Sequence, residues 1–196
     1  MSDIFYRGDF NAFRVGNIER YNRTIPKRKI TAFDSKHNVT SKTMVFISHK
    51  HTDLNDLAGI IGFLEKFNVE VYIDSQDENI PESTCGATAL RIKEKIKDSD
   101  KFIFLATDEA IESKWCNWEL GFGDAHKYHN NQIAIFPLGN SSREQYKGNE
   151  YMQIYPYIVY RDGTTYYKSR KKITEGYYVK NEQTSVITPL KTWLEK

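Results

Sequence analysis

The sequence predicts an α/β fold, a central parallel sheet flanked by helices, on two observations. Four short runs rich in Val, Ile and Phe lie along the middle of the chain: MVFIS (44–48), VEVYID (69–74), FIFLA (102–106) and IAIFPL (133–138). Three are close to continuous in apolar residues, as strands covered on both faces are. Between them run stretches of helical periodicity. Strands alternating with helices at this spacing build βαβ units with right-handed crossovers, hence a parallel sheet.

Taken in order, residues 1–42 form a short basic extension, with nine Lys and Arg against four Asp and Glu. A short helix is expected over 10–21 and a linker over 38–42. Such an arm can touch phosphates or a partner's acidic face, but a solvated extension is the simpler reading of a charge run. After the first strand, residues 53–67 place Leu54, Leu57, Ile60, Ile61 and Leu64 on one helical stripe. Thr52 or Asp53 caps it in front and Asn68 behind. The second helix is expected to begin near NIPE, with Asn79 as cap and Glu82 three residues on, as in a capping box.

The third helix is expected to start at Ser113 and to carry SKWCNWELGFGD. Trp115 and Glu119 stand four apart and so share a face. That places a carboxylate among aromatic rings rather than on the wet side. The tail has another character: YPYIVY, RDGT and TYYK read as a hairpin turning at Asp162-Gly163. Residues 186–194 read as a closing helix with Pro189 at or before its start. The division expected is 1–42, a domain over 43–160, and a C-terminal hairpin and helix, 161–196, packed on it.

Composition narrows the class. Of 196 residues, 39% are hydrophobic and 14% aromatic, enough for a real core and against extensive disorder. The net charge of +2 argues neither for nor against nucleic acid, and no such partner is expected. Cys85 and Cys116 have neither zinc-type spacing nor a disulfide framework. The start, MSDIFYRGDF, lacks the pattern of a signal peptide, and no apolar run approaches the ~20 residues of a membrane span. A reduced, soluble, cytoplasmic protein away from the membrane is the expectation.

In an open α/β sheet, ligands bind beyond the carboxyl ends of the strands where strand order reverses. In a five-stranded flavodoxin-like order, that point lies between the first and third strands. The loop Ser48-His49-Lys50-His51-Thr52-Asp53 then comes close to Trp115 and Glu119.

These residues resemble the TIR domain family. VFISHKHTD is similar to its first box, the loop from Asp74 to Thr84 with Ile80-Pro81 to its BB loop, and SKWCNWEL to the third-helix motif of members that cleave NAD⁺. The resemblance covers about residues 43–160, and is strongest to stand-alone bacterial TIR proteins of Thoeris-type anti-phage defence.

What the resemblance implies is cleavage of the nicotinamide–ribose bond of NAD⁺, with Glu119 as the catalytic carboxylate. NAD⁺ is then the substrate, and neither a cofactor nor a metal is expected. Trp115 becomes a stacking wall for nicotinamide or its ribose. Ser48 and His49 hydrogen-bond ribose or nicotinamide, Lys50 approaches the diphosphate, and Phe46 and Asp74 complete the substrate-contacting set. Arg91 is a weaker phosphate candidate.

The blander readings are that Glu119 pairs with Lys114, Lys127 or a neighbour's arginine, that Trp118 is core, and that Cys116 is a small buried hydrophobe. His49-x-His51 and His126-x-x-His129 lack the grouping of a zinc site. The resemblance further implies homo-oligomers built through TIR–TIR contacts and a separate effector that responds to the product. Two rival functions remain, a non-catalytic TIR adaptor and a nucleoside deoxyribosyltransferase-like enzyme.

Overall fold

Where the sequence alternates apolar runs with helical periods, the chain alternates strands and helices around one sheet. The structure is a computed structural model and describes residues 4–14, 42–77, 85–140, 148–167 and 170–195. The strands are β1 (Phe5–Tyr6), β2 (Met44–Ser48), β3 (Glu70–Tyr72), β4 (Lys101–Ala106), β5 (Ile133–Gly139), β6 (Tyr157–Arg161), β7 (Gly176–Lys180) and β8 (Ile187–Pro189). The helices are α1 (Leu54–Glu65), α2 (Gly86–Asp98), α3 (Asp108–Glu112), α4 (Lys114–Lys127) and α5 (Leu190–Glu195).

Strands β3-β2-β4-β5-β6 pair in parallel in that order, and β7 and β8 extend the sheet antiparallel. The five parallel strands thus have the flavodoxin-like order, with the reversal between β2 and β4. Strand alternation splits the core in two. Val45, Ile47, Ile103 and Leu105 face α1 and α5, whereas Phe46, Phe102 and Phe104 face the α2 and α4 side. Every residue of β4 is buried, as a central parallel strand requires.

The helix boundaries differ in instructive ways. The expected cap Asn79 lies outside the described residues, and α2 begins at Gly86. Its N-cap is Cys85, whose backbone N–H is bonded by the Thr88 hydroxyl at 3.3 Å. Between the third apolar run and Ser113, residues 108–112 form a further short helix, α3, because Thr107 accepts the Ala110 N–H at 3.1 Å and so starts a helical turn. Asn68 does end the first helical stretch, in the left-handed region at φ 60°.

The tail corrects the hairpin. Asp162-Gly163 does turn, with Gly163 at φ +80° and Asp162 accepting from the Thr164 N–H at 2.9 Å. The strand antiparallel to β6 is nevertheless β7, and residues 165–167 lie between the two strands, where Tyr166 makes an isolated bridge to Lys172. Residues 187–189 are strand, so the closing helix starts at Leu190, after Pro189, which supplies no N–H.

The described part of the N-terminal extension is not a solvated arm. β1 runs parallel to the end of β5, pairing Phe5 with Leu138 and Tyr6 with Gly139. Phe5 and Phe10 are buried in the core on the α1 side. Phe10 lies so close to α1 that a Cβ at Gly59 would sit 2.4 Å from its carbonyl oxygen. Of the helix expected over 10–21, residues 15–21 lie outside the described residues; what precedes them is a 3-10 turn at Asn11–Phe13.

Candidate active site

Ser113 ends its strand-like backbone at φ −72°, ψ 117° and accepts the Cys116 N–H at 3.4 Å, so α4 starts where its cap demands. The helix lies against the sheet closely enough that a Cβ on Gly123 would come within 3.0 Å of the Phe102 ring. This approach drives Glu119 into the space beyond the carboxyl end of β2. There the Ser48 hydroxyl donates to Glu119 Oε2 at 2.6 Å. Glu119 is only 2% exposed, and its Oε1 is buried without a hydrogen-bond partner.

Burial pushes the Glu119 carboxyl up to about 8, and the nearby Asp74 charge adds to the rise. Ser48 and Trp115 pull the other way, Trp115 without a hydrogen bond to Oε1. A buried carboxyl with no cationic partner among the described residues holds its proton near neutral pH. Lys127 does not supply that cation: its ammonium donates to the carbonyls of Lys97 and Ser99 instead.

His49, next to Ser48 in the chain, is also buried. Its Nδ1 lies 3.4 Å from the Ile47 carbonyl and 3.6 Å from Asp74 Oδ1, and its Nε2 lies 3.2 Å from Ser75 Oγ. A carbonyl can only accept, so Nδ1 carries the proton and Nε2 accepts from Ser75. Burial holds the imidazole below its ordinary pKa, against the pull of Asp74. The Cys116 thiol donates to the His49 carbonyl at 3.3 Å and is itself pushed up to about 11 by burial. It pins the loop and is no thiolate nucleophile.

The structure therefore brings Ser48, His49, Asp74, Trp115 and Glu119 together. Trp115 is half-buried, its ring 4.9 Å from that of Trp118. Lys50 is half-buried at the head of the turn His51–Asp53. Two candidates sit elsewhere. Phe46 is fully buried, stacked between Tyr72 at 5.5 Å and Phe102 at 5.4 Å, and is core rather than a substrate contact. Arg91 donates to Asp77 at 2.9 Å, so its charge is already matched. Trp118 faces α2, under the Lys93 ammonium at 5.8 Å. His126 bonds the Phe122 carbonyl of its own helix at 2.9 Å.

The sequence reading missed a second layer behind these residues. Asp53 was expected as the last residue of the loop and, with Thr52 the alternative, as a helix cap, yet it makes no cap bond. Its Oδ2 accepts from Thr107 at 2.8 Å and its Oδ1 from Arg7 at 3.0 Å. Nothing in local spacing links positions 7, 53 and 107, which meet only once the sheet has formed.

Comparison with known proteins gives concordant results. The profile described as TIR domain matches residues 45–173. A Bacillus cereus (strain MSX-D12) protein named as a probable 3' cyclic ADP-D-ribose synthase, ThsB', is 30% identical over 118 residues, 59% of this chain and 60% of that protein. A Cytobacillus dafuensis protein provisionally named cyclic ADP-D-ribose synthase TIR2 is 31% identical over 91 residues, 44% of this chain and 24% of its own length. The chain thus spans less than two thirds of either relative.

Proposed function

This chain belongs to the TIR domain family, and we propose that it is an enzyme that breaks the nicotinamide–ribose bond of NAD⁺. One observation supports this reading above others. Glu119 is a buried carboxyl with one oxygen held by Ser48 and the other unpartnered, four residues after a half-buried tryptophan. An adaptor surface has no use for an orphaned buried oxygen, which costs stability.

The chemistry follows from charge. Breaking the C1–N bond sends its electron pair to the pyridinium nitrogen, releasing neutral nicotinamide and leaving a cationic ribosyl carbon. The Glu119 carboxylate stabilises that cation, and low local dielectric strengthens the effect. The positive pyridinium favours loss of the Glu119 proton on binding. An oxygen nucleophile then bonds C1 and loses a proton, which a carboxyl of raised pKa is suited to take back. Water would give ADP-ribose, and a hydroxyl of the same molecule a cyclic isomer. The relatives' names favour ring closure.

The test is to incubate concentrated pure protein with NAD⁺ and resolve products by mass beside Glu119→Ala. Nicotinamide and an ADP-ribose-derived product are expected, both absent with the variant. NAD⁺ left intact by the wild type at every protein concentration would sink the proposal. The product would serve as a signal to a separate effector in anti-phage defence. TIR–TIR assembly would complete the site, so activity per molecule should rise with protein concentration. A flat dependence would contradict assembly.

A further inference from the structure

We infer that Arg7, on the N-terminal segment, is a positioning residue for the active-site loop, and that its guanidinium locks that loop to the ends of two other strands. The inference rests on the reaction proposed above, but its structural part stands on geometry alone. Each arm of the guanidinium is used. Nε donates to Asn140 at 2.8 Å, just past the end of β5. Nη1 donates to Asp56 at 2.8 Å in the first turn of α1. Nη2 reaches Asp53 at 3.0 Å and Glu109 of α3 at 3.1 Å. The backbone of the same segment adds to this: Arg7 N–H donates to the Gly139 carbonyl at 3.1 Å, and Gly8 N–H to Asp56 at 3.0 Å.

These partners are the exits of β2, β4 and β5, the end of the sheet where the site lies. Asp53 matters most. It is fully buried, closes the loop that begins at Ser48 and His49, and has Thr107, at the exit of β4, on its other oxygen. A buried carboxylate needs a cation or a full set of donors, and Arg7 supplies the cation. Its planar fork bridges several carboxylates at once, which a lysine point charge does not. Arg7 lies outside residues 45–173, so the TIR match alone does not contain the residue that braces its first loop.

Four variants decide the matter: Arg7→Ala, Arg7→Lys, Arg7→Ala combined with Asp53→Asn, and Arg14→Ala as control. Arg14 sits on the same segment, and its guanidinium donates to the Asn55 carbonyl at 2.7 Å. Two readouts are taken, steady-state NAD⁺ cleavage and the His49 imidazole titration by NMR. The charges facing that imidazole are Asp74, Asp53 and His51.

Arg7→Ala is expected to lower kcat by about 10- to 100-fold, the scale of an ångström-level misplacement, and to move His49 upward toward an ordinary imidazole. Arg7→Lys should fall between it and wild type. Arg14→Ala should match wild type, and Asp53→Asn should restore part of what Arg7→Ala loses, because the unpaired charge is gone. Arg7→Ala with wild-type kcat and wild-type His49 titration overturns the inference. If Arg7→Ala does not fold, Arg7→Lys decides: a kcat and His49 titration like wild type overturn it, and displaced values support it. If wild type releases no nicotinamide, the proposed reaction fails, while the His49 titrations still judge the brace.

Discussion

Glu119 carries two costs at once, a carboxyl nearly sealed from water and an oxygen with no donor. Both bear on stability. Its pKa is about 8 in the fold against 4.5 unperturbed, so between these values the native state holds a proton that the unfolded chain has released. Stability from this group is therefore greatest below about pH 4.5 and falls as pH rises toward 8. Glu119→Gln, which cannot ionise, should melt above wild type at pH 8, by on the order of 3 kcal/mol, with the gap closing toward pH 5. Parallel melts across that range check it; a gap that stays constant with pH would contradict the buried-acid reading. Activity should run the opposite way: kcat/KM for NAD⁺ rises with pH through about 8 as free Glu119 ionises, and kcat reaches its plateau at lower pH, because the bound pyridinium aids ionisation. Ser48 favours the charged form, so Ser48→Ala should move the kcat/KM limb to higher pH, with roughly tenfold lower kcat/KM at pH 7. An unmoved limb would mean the 2.6 Å hydrogen bond does not tune the acid.

At the scale of elements, Gly59 couples α1 to the N-terminal segment. Alanine is the better helix former by about 1 kcal/mol, so propensity alone says Gly59→Ala stabilises. The Phe10 carbonyl at 2.4 Å from the new Cβ says otherwise. The clash should win, with a net loss of about 1–3 kcal/mol, the range of overpacked cores. Proteolysis near Phe10 should quicken; a variant as stable and protease-resistant as wild type would refute the close packing. The same contrast explains what was legible in the sequence. Strands β2, β4 and β5, the Ser113 cap and the Trp115–Glu119 face are written in local pattern, and so was the part of the site they carry. The start of α2, the existence of α3 and the partner of β6 are not. Cys85 is a poor cap by type, α3 is shorter than two helical turns, and β6 pairs with β7 rather than with residues 165–167 because Tyr178 and Val179 bury against the sheet. Phe46 misled for a related reason. A residue two before Ser48 on a buried strand points to the same face as the site, but is already filled by Tyr72 and Phe102.

At the scale of the whole molecule, the buried core extends beyond the 45–173 match. Phe5 and Phe10 from one end, and Leu190, Trp193 and Leu194 from the other, share a core cluster with Val45, Ile47 and Phe136. Trp193 is almost fully buried; its indole N–H donates to the Asn131 carbonyl at 2.8 Å, and the Lys101 ammonium lies over its ring at 4.9 Å. Each large apolar side chain contributes about 1.5–3 kcal/mol when buried. Losing these five alone removes on the order of 10 kcal/mol, as much as a domain's whole margin, and the fragment also lacks the buried Tyr178 and Val179. A fragment of residues 45–173 is therefore expected to lack a cooperative thermal transition. A chain of residues 4–195 should unfold in one step, with amides of β1 and α5 exchanging no faster than those of α1. Restoring only one end should give partial rescue, since the two ends cover the same face of the sheet. A fragment of residues 45–173 that melts cooperatively within a few degrees of the full chain would show that both ends are accessories; a single transition confined to the longer chain would make them part of the fold.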